Sequence, residues 1–321
     1  MSSMPARNQE KASGRGVFVL PRTVVEVQPD FVLGARFSGT RPAGVRRMAL
    51  QALDPGVLEP SSVQANIAKP ELLRRAVGAI AGAIQNGGTL GLLLPDNAVR
   101  VSVLGFETLP AKSEELDALI RWRLKETLGY APEAAKLSWQ VNWTERGLTE
   151  LLVIAAKRGV LSQYGAALSP LGGGAALILP VTMALMALCA PDEAAGQLLT
   201  HVCSGWVTHA VIEGNRLRLW RSRRLSLAAQ DSGVSEVLSE AARATASARD
   251  RIGLEIKKAW CCARPAISGL DEELSGALGM AVESLPLDAN ADAFLEVGDK
   301  PLFAPFAAPL VGLLANAGKI A

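Results

Sequence analysis

The amino-acid sequence predicts an α/β fold made of two halves with the same plan, and a β-α-β-β subdomain inserted in the first half. The prediction rests on two observations. Three strands, a helix, a strand and a further helix follow one another twice along the 321 residues. The first occurrence is interrupted by an extra strand, an amphipathic helix and a hairpin. We therefore expect a disordered tail at 1–15, a first half at 16–190 with the insertion at about 96–157, and a second half at 191–321.

The first half begins with a predicted three-stranded meander. Residues 23–28, 31–38 and 45–53 alternate apolar and polar side chains, and turn-forming residues separate them. Pro70 marks the first turn of a helix that runs to about 85, because proline is favoured there and apolar residues recur behind it at helical spacing. A wholly apolar strand follows at 90–94 and ends in the sequence Leu-Pro-Asp.

The insertion is predicted to form a strand at 99–106, a helix and a hairpin. Ser113 is the expected N-cap of the helix, and acidic residues follow it, where they stabilise the positive end of the helix dipole. Strands at 137–143 and 150–156 are joined by a turn at 144–147. One helix can cover one face of such a sheet, which predicts a small separate subdomain.

The remaining elements complete both halves. A helix follows Lys157. The uncharged stretch 172–190 is interpreted as a short strand and a helix rather than a membrane span, because three glycines and Pro180 interrupt it. The second half is expected to contain strands at 197–203, 206–212, 216–223 and 255–262, and helices at 232–249, 268–280 and about 306–317.

The composition is typical of soluble globular proteins, with 49% hydrophobic and 20% charged residues. The net charge of +2 provides no general attraction to nucleic acid or to anionic lipid, so neither is an expected partner. Five arginines at 216–224 and eight acidic residues at 271–299 are interpreted as solvated surfaces. Four cysteines lie in apolar segments without C-x-x-C spacing, which indicates buried thiols and a reducing, cytoplasmic compartment.

The segment 89–141 is the most informative part of the chain. It reads TLGLLLPDNAVRVSVLGFETLPAKSEELDALIRWRLKETLGYAPEAAKLSWQV: an apolar strand ending in Leu-Pro-Asp, an alternating strand, Thr-Leu-Pro, the capped helix and a strand with Trp139. This order and spacing resemble the PilM family of type IV pilus assembly proteins, which is related to the cytoplasmic part of GspL. The resemblance extends unevenly from Thr23 to Ala317 and implies the actin-like ATPase (ribonuclease H-like) fold.

In that fold the phosphates of ATP lie between two hairpin loops. Glycines let backbone N–H groups approach the phosphates, and an aspartate in each loop positions the metal ion and the attacking water. The resemblance places the two loops and a third, glycine-rich turn on segments that contain no glycine. These segments are Glu26-Val27-Gln28-Pro29-Asp30, His201-Val202-Cys203 and Ala263-Arg264-Pro265. The resemblance therefore implies a pseudo-ATPase, with no catalytic residue assigned.

No cofactor is expected, although ATP and Mg²⁺ remain open because Arg264 or the arginines at 216–224 could hold phosphate in another way. His201, His209 and Cys203 lie close enough in sequence for a metal site to be considered. None of the usual metal-ligand spacings is present, so we interpret them as ordinary sheet residues. An active ATPase with unusual loops, dependent on Asp30, is the alternative.

The resemblance also implies a partner. PilM proteins lie at the cytoplasmic face of the inner membrane and bind the N-terminal cytoplasmic segment of the bitopic protein PilN, in a groove between the core and the inserted subdomain. We expect a non-catalytic scaffold of a type IV pilus or related secretion machine, which meets PilN-like and other components and reaches the membrane only through a partner. A GspL-like role in type II secretion is a further alternative. The residues expected in the groove or the adjacent core are Leu92, Leu94, Val101, Val103 and Leu119.

Overall fold

The structure is a computed structural model that describes residues 20–38, 44–84, 87–189, 195–226, 230–285 and 300–320. The tail predicted at 1–15 lies outside these residues. Within them, the strands form two five-stranded sheets and one three-stranded sheet. Each predicted half contributes one five-stranded sheet, and the insertion contributes the smaller one.

The sheet of the first half combines the predicted meander with two parallel strands. Its order is β3-β2-β1-β4-β8, in which β1 pairs antiparallel with β2 and parallel with β4. All five residues of β1 and of β4 are buried, because both strands lie inside the sheet. The elements are β1 (Thr23–Val27), β2 (Phe31–Phe37), β3 (Val45–Ala52), α1 (Pro70–Ile84), β4 (Leu90–Leu94), α3 (Arg158–Ala167), β8 (Leu177–Pro180) and α4 (Val181–Leu185).

The sheet of the second half repeats this plan, with the order β11-β10-β9-β12-β13. Here β9 pairs antiparallel with β10 and parallel with β12. The duplicated architecture predicted from the sequence is therefore confirmed. The short strand β13 was not expected. The elements are β9 (Gly196–Cys203), β10 (Trp206–Glu213), β11 (Arg216–Arg224), α5 (Gln230–Ser247), β12 (Ile256–Arg264), α6 (Leu270–Leu278) and β13 (Val282–Ser284).

The insertion is a three-stranded antiparallel sheet with one helix on one face. It consists of β5 (Arg100–Phe106), α2 (Ser113–Leu128), β6 (Ala135–Glu145) and β7 (Leu148–Lys157), in the order β5-β7-β6. Leu116, Ile120 and Leu124 of α2 are buried in a core of the subdomain's own. The N-cap prediction is wrong by one residue: Ser113 begins the helix, Lys112 takes the cap position, and no side chain caps it.

The last helices return to the first half. They are α7 (Lys300–Phe303) and α8 (Ala308–Ile320). Although α8 falls within the range 191–321 expected to form the second half, it packs on α4 and its buried side chains join the core around β1 and β4. Just before it, the ring of Phe306 lies edge-on to Phe31 of β2, with centroids 5.1 Å apart. No helix of the described residues is long and apolar enough to cross a bilayer.

Candidate functional site

The three segments that the resemblance places at the nucleotide loops meet where the two halves face each other. Glu26 lies near the end of β1, and His201 lies near the end of β9. Arg264 is the last residue of β12, opposite Cys203 in the parallel register of β12 with β9. The ends of these strands thus bring three side chains together from distant parts of the chain.

A buried ion pair lies at the centre of this junction. The guanidinium of Arg264 donates from Nη2 to Oε1 of Glu26 at 2.7 Å and from Nη1 to Oε2 at 2.9 Å. Their side chains are 1% and 0% exposed. The amide of Gln28 donates a further hydrogen bond to Oε1 of Glu26 at 2.8 Å. A bidentate pair of this kind has high geometric specificity, because two parallel N–H···O bonds fix the orientation of both groups.

A second contact between the halves is that of His201, in the second half, with Thr182, in the first half. Arg264 Nε lies 3.3 Å from His201 Nε2, and the other ring nitrogen, Nδ1, lies 2.7 Å from Thr182 Oγ1. The hydroxyl of Thr182 donates to Asp96 Oδ2 at 2.5 Å, and its backbone N–H donates to Asp96 Oδ1 at 2.9 Å. The result is a continuous buried chain from Glu26 through Arg264, His201 and Thr182 to Asp96.

The chain of hydrogen bonds assigns the protons. A guanidinium can only donate, so His201 Nε2 accepts from Arg264 and the ring proton lies on Nδ1. Burial lowers the pKa of His201, which keeps the imidazole neutral, as this arrangement requires. Burial alone would raise the pKa of Asp96, but hydrogen bonds to His201 and Thr182 more than offset it, and the pKa is lowered. Asp96 is therefore a carboxylate.

The arginine is cationic for a related reason. Burial would lower the pKa of Arg264, but the charge of Glu26 outweighs burial, and the pKa is raised. By contrast, burial raises the pKa of the Cys203 thiol to about 12. The junction thus holds one cation and two carboxylates, all hydrogen-bonded, together with an unreactive thiol.

The tips of the two hairpins also touch. Ser204, at the turn between β9 and β10, donates from its hydroxyl to the carboxylate of Asp30, at the turn between β1 and β2. A small cavity of about 10 Å³ lies beside this junction and is lined in part by Gln28, Asp96 and His201. About one water molecule needs this much space. In the third segment, Ala263 is half-buried and Pro265 is exposed.

Two larger cavities border the junction and share Pro60 and Trp206. The hairpin-tip cavity, of about 490 Å³, lies between Asp30, the loop 53–60 and the turn at Ser204. The β5–β11 groove, of about 530 Å³, is lined by residues 60–62, 97, 99–102, 206 and 220–223. One wall of this groove belongs to the inserted subdomain and the opposite wall to the second half.

The β5–β11 groove is polar and basic. Ser61, Ser62 and Ser102 line it, together with Arg100 and Arg223. Arg100 is exposed, and no carboxylate of the described residues lies within ion-pair distance of it. Within the described part of the chain, strand β11 pairs with no strand besides β10. Its other edge is bonded to Asn142 at Leu217, whereas residues 220–223, which line the groove, leave that edge open to a further strand.

Only part of the expected partner surface lies in this groove. Val101 lines it. Leu92 and Leu94 of β4 are 1% and 0% exposed. They therefore belong to the core beside the groove, which was the second of the two expected positions. Val103 packs against that same core, whereas Leu119 packs in the separate core of the subdomain. The structure therefore does not bring the five residues into a single groove.

The arginines at 216–224 are largely engaged in ion pairs. Arg216 binds Glu150 of the subdomain, and Arg218 binds Glu213. Arg221 binds Glu240 with an N–O distance of 2.8 Å. These pairs, rather than a free basic surface, account for most of the cluster.

The two histidines do not form a metal site. In the register of β9 with β10, His201 lies opposite Thr208, and His209 lies opposite Thr200, so the two rings lie on opposite faces of the sheet. His209 Nδ1 is 3.1 Å from Thr200 Oγ1. Among the described residues, no group of three His, Cys, Asp or Glu side chains is placed to hold a metal ion.

Two members of the site were missed by the sequence analysis. Asp96 follows β4 directly after Pro95, and Thr182 follows β8 one residue after Pro180. The Leu-Pro sequence at 94–95 recurs at 179–180 in the neighbouring parallel strand. This repeat was a usable signal, because equivalent ends of adjacent parallel strands lie side by side.

No family model and no curated protein matches the sequence. Solved structures do match. A PilM-PilN type IV pilus biogenesis complex aligns with a TM-score of 0.76 and 16% identity over 92% of this chain and 98% of that chain. A Bacteroides thetaiotaomicron protein with an actin-like ATPase fold and unknown function aligns with a TM-score of 0.53 and 8% identity over 89% and 95%. The cytoplasmic domain of EpsL, an inner membrane component of the Vibrio cholerae type II secretion system, aligns with a TM-score of 0.47 and 11% identity. This alignment covers 75% of this chain and 81% of that chain.

The comparisons establish the fold. The similarity to the first two structures extends over most of both chains, so the predicted actin-like ATPase fold and the resemblance to PilM are confirmed at the level of the backbone.

Proposed function

We propose that this protein is a non-catalytic scaffold of a type IV pilus or a related secretion machine. It binds the N-terminal cytoplasmic segment of a PilN-like inner-membrane protein and is held at the cytoplasmic face of the membrane through that partner. The proposal is supported by a fold shared over 92% of the chain with a structure of a PilM-PilN complex. It is also supported by the junction between the halves, which is occupied by side chains of the protein.

The observation that carries the proposal is the ion pair of Arg264 with Glu26. In ATPases with the actin-like fold, the nucleotide phosphates and the metal ion lie between the two hairpin loops. Here a guanidinium lies between them, and the tips are joined through Ser204 and Asp30. The cavity of about 10 Å³ beside Gln28, Asp96 and His201 has no space for a phosphate group. This arrangement supports a protein that neither binds nor hydrolyses ATP.

The β5–β11 groove is the proposed binding site for the partner segment. An extended peptide can add to the edge of β11 along residues 220–223 through main-chain hydrogen bonds, while side-chain pockets confer specificity. Val101 and Trp206 supply apolar surface along the groove. The volume of about 530 Å³ accommodates a few side chains, in the range typical of ligand clefts.

Titration with a synthetic peptide that has the N-terminal cytoplasmic sequence of a PilN-like protein tests the proposal. We expect saturable binding by calorimetry, and about tenfold weaker binding by Ser102→Glu, because the bound peptide would desolvate the added carboxylate in the groove. Val141→Glu is the matched control, since Val141 is 47% exposed on the same subdomain. No binding at millimolar peptide would contradict the proposed partner.

The nucleotide part of the proposal is tested separately. Calorimetry with ATP and Mg²⁺ should show no binding at millimolar concentration. Micromolar binding, or ATP turnover lost in Asp30→Ala, would instead favour an active ATPase.

A further inference from the structure

At the ends of β1, β9 and β12, the two halves are joined by two buried polar contacts and one exposed contact, and each contact takes one member from each half. Glu26 of the first half binds Arg264 of the second. Thr182 of the first half binds His201 of the second. Asp30 binds Ser204 across the hairpin tips. These contacts lie where a ligand bridging the halves of this fold would lie.

A ligand that binds both halves of a hinged protein stabilises the closed arrangement, because its differential affinity shifts the population toward that state. A side chain that makes the same bridging contacts has the same effect without a ligand. Arg264 meets this requirement: all of its guanidinium nitrogens lie within hydrogen-bond distance of Glu26 or His201.

We infer that Arg264 is a built-in replacement for nucleotide and metal, which keeps the two halves closed at all times. The geometry of the pair explains why it acts as a clamp. A buried ion pair is not necessarily a large net source of stability, since both charges lose their hydration. It is fully satisfied at only one relative position of the halves, however, and therefore selects that position.

The clamp has a consequence for the groove. One wall of the β5–β11 groove, with Val101, belongs to the subdomain of the first half, and the other, with Arg221 to Arg223, belongs to the second half. Holding the halves together fixes the width of the groove. Given the proposed function, partner binding in this protein is independent of nucleotide, because the binding site is already formed.

The position of the halves can be measured with a pair of spin labels. The substitutions Glu59→Cys and Arg224→Cys place the labels on exposed residues on either side of the hairpin-tip cavity, one in each half. The four native cysteines are buried, and a labelling reaction without the new cysteines controls for them. We expect one narrow distance distribution by electron–electron double resonance, unchanged by millimolar ATP and Mg²⁺. A broad distribution, or one that ATP shortens, would overturn the inference.

Removal of the clamp should release the hinge. Arg264→Ala is expected to broaden and lengthen the distribution. Arg218→Ala is the control, because it removes an arginine whose ion pair with Glu213 lies within the second half. If Arg264→Ala does not fold, the double variant E26L/R264M removes both charges and retains apolar bulk. An unchanged narrow distribution in a folded clamp variant would also overturn the inference.

The clamp and the proposed function fail in different ways. If the wild-type protein has a narrow, ATP-independent distance distribution but binds no PilN-like peptide, the clamp is supported and the proposed partner is contradicted. If the wild-type protein binds the peptide but its two halves close only with ATP, the proposed partner is supported and the clamp is contradicted. Peptide affinity in E26L/R264M then connects the two: we expect it to fall about tenfold, because an open hinge reduces the fraction of competent grooves.

Discussion

Arg264 and Glu26 are 238 positions apart in the chain, yet each is almost completely buried against the other. Their contact joins β12 of the second half to β1 of the first. As the clamp that we infer, it takes the place of a bridging ligand and fixes the relative position of the two halves.

Loss of one partner of this pair should destabilise the protein strongly. Arg264→Ala or Glu26→Ala leaves an uncompensated buried charge, which costs about 3–5 kcal/mol. The double variant E26L/R264M removes both charges and is expected to lie within about 2 kcal/mol of the wild type. Urea unfolding measures all three. Arg74→Ala is the control, because Arg74 pairs with Glu71 at the surface, where such pairs contribute less than about 1 kcal/mol. A double variant as unstable as the singles would contradict the argument.

The inserted subdomain contacts the second half through the ion pair of Glu150 with Arg216 and through the amide side chain of Asn142. Asn142 of β6 donates to the carbonyl of Leu217 at 2.9 Å and accepts from its N–H at 3.2 Å. Asn142→Ala leaves both backbone groups unpaired, so local opening there should become easier by about 1.4 kcal/mol. Amide hydrogen exchange at Leu217 should accelerate about tenfold. Thr144→Ala, which removes only an exposed hydroxyl contact with Thr149, should leave that rate unchanged. Equal exchange in both variants would show that other contacts hold the subdomain.

The crossing of α8 over α4 depends on a glycine. A Cβ at Gly312 would lie 2.0 Å from the backbone oxygen of Ala184. Because a backbone atom cannot move aside cheaply, Gly312→Ala should destabilise the protein by about 3 kcal/mol. Gly165→Ala, in α3 with nothing within 4 Å of the new Cβ, should stabilise it by about 0.5–1 kcal/mol. Thermal unfolding of the two variants should therefore shift in opposite directions. Similar shifts would exclude this account.

The strand plan could be predicted because its signals are local. Turn residues and alternation mark nearly every strand, and β4 has the predicted bounds, Leu90–Leu94. β13 could not be predicted, because its three residues, Val282–Ser284, are too few to show an alternation of apolar and polar side chains. The place of α8 could not be predicted either. Its apolar residues show that it is buried, but not which half buries it.

The candidate site shows the same division between local and distant information. The resemblance locates all three segments that meet at the junction. No local pattern pairs Arg264 with Glu26, since that contact depends on how two strands from different halves approach each other. The presence of Asp96 and Thr182 in the site could not be predicted for the same reason, although each follows a proline at the end of a strand. The opposite charges of Glu26 and Arg264, in two of the segments that the resemblance places around one site, were the available signal.

His209 should make the stability of the protein depend on pH. It is 0% exposed, Thr200 is within hydrogen-bond distance of Nδ1, and Nε2 has no hydrogen-bond partner among the described residues. Burial lowers its pKa from 6.5 to about 4, with the charges of Glu240 and Arg221 acting in opposite directions. The unfolded chain therefore binds a proton below pH 6.5 that the folded protein excludes down to about pH 4. The contribution is complete above pH 6.5 and is lost as the pH falls through this interval.

The size of the effect follows from the shift. At pH 5 the loss amounts to about 2 kcal/mol, since each pKa unit corresponds to about 1.4 kcal/mol. His209→Gln removes the titrating group, so the wild type should lose about 2 kcal/mol more than this variant between pH 8 and pH 5 in urea unfolding. His201, whose pKa burial also lowers, is present in both proteins and cancels in the comparison. If both proteins lose the same stability, the imidazole of His209 accepts a proton in the folded state, and the buried, neutral ring inferred for β10 is wrong.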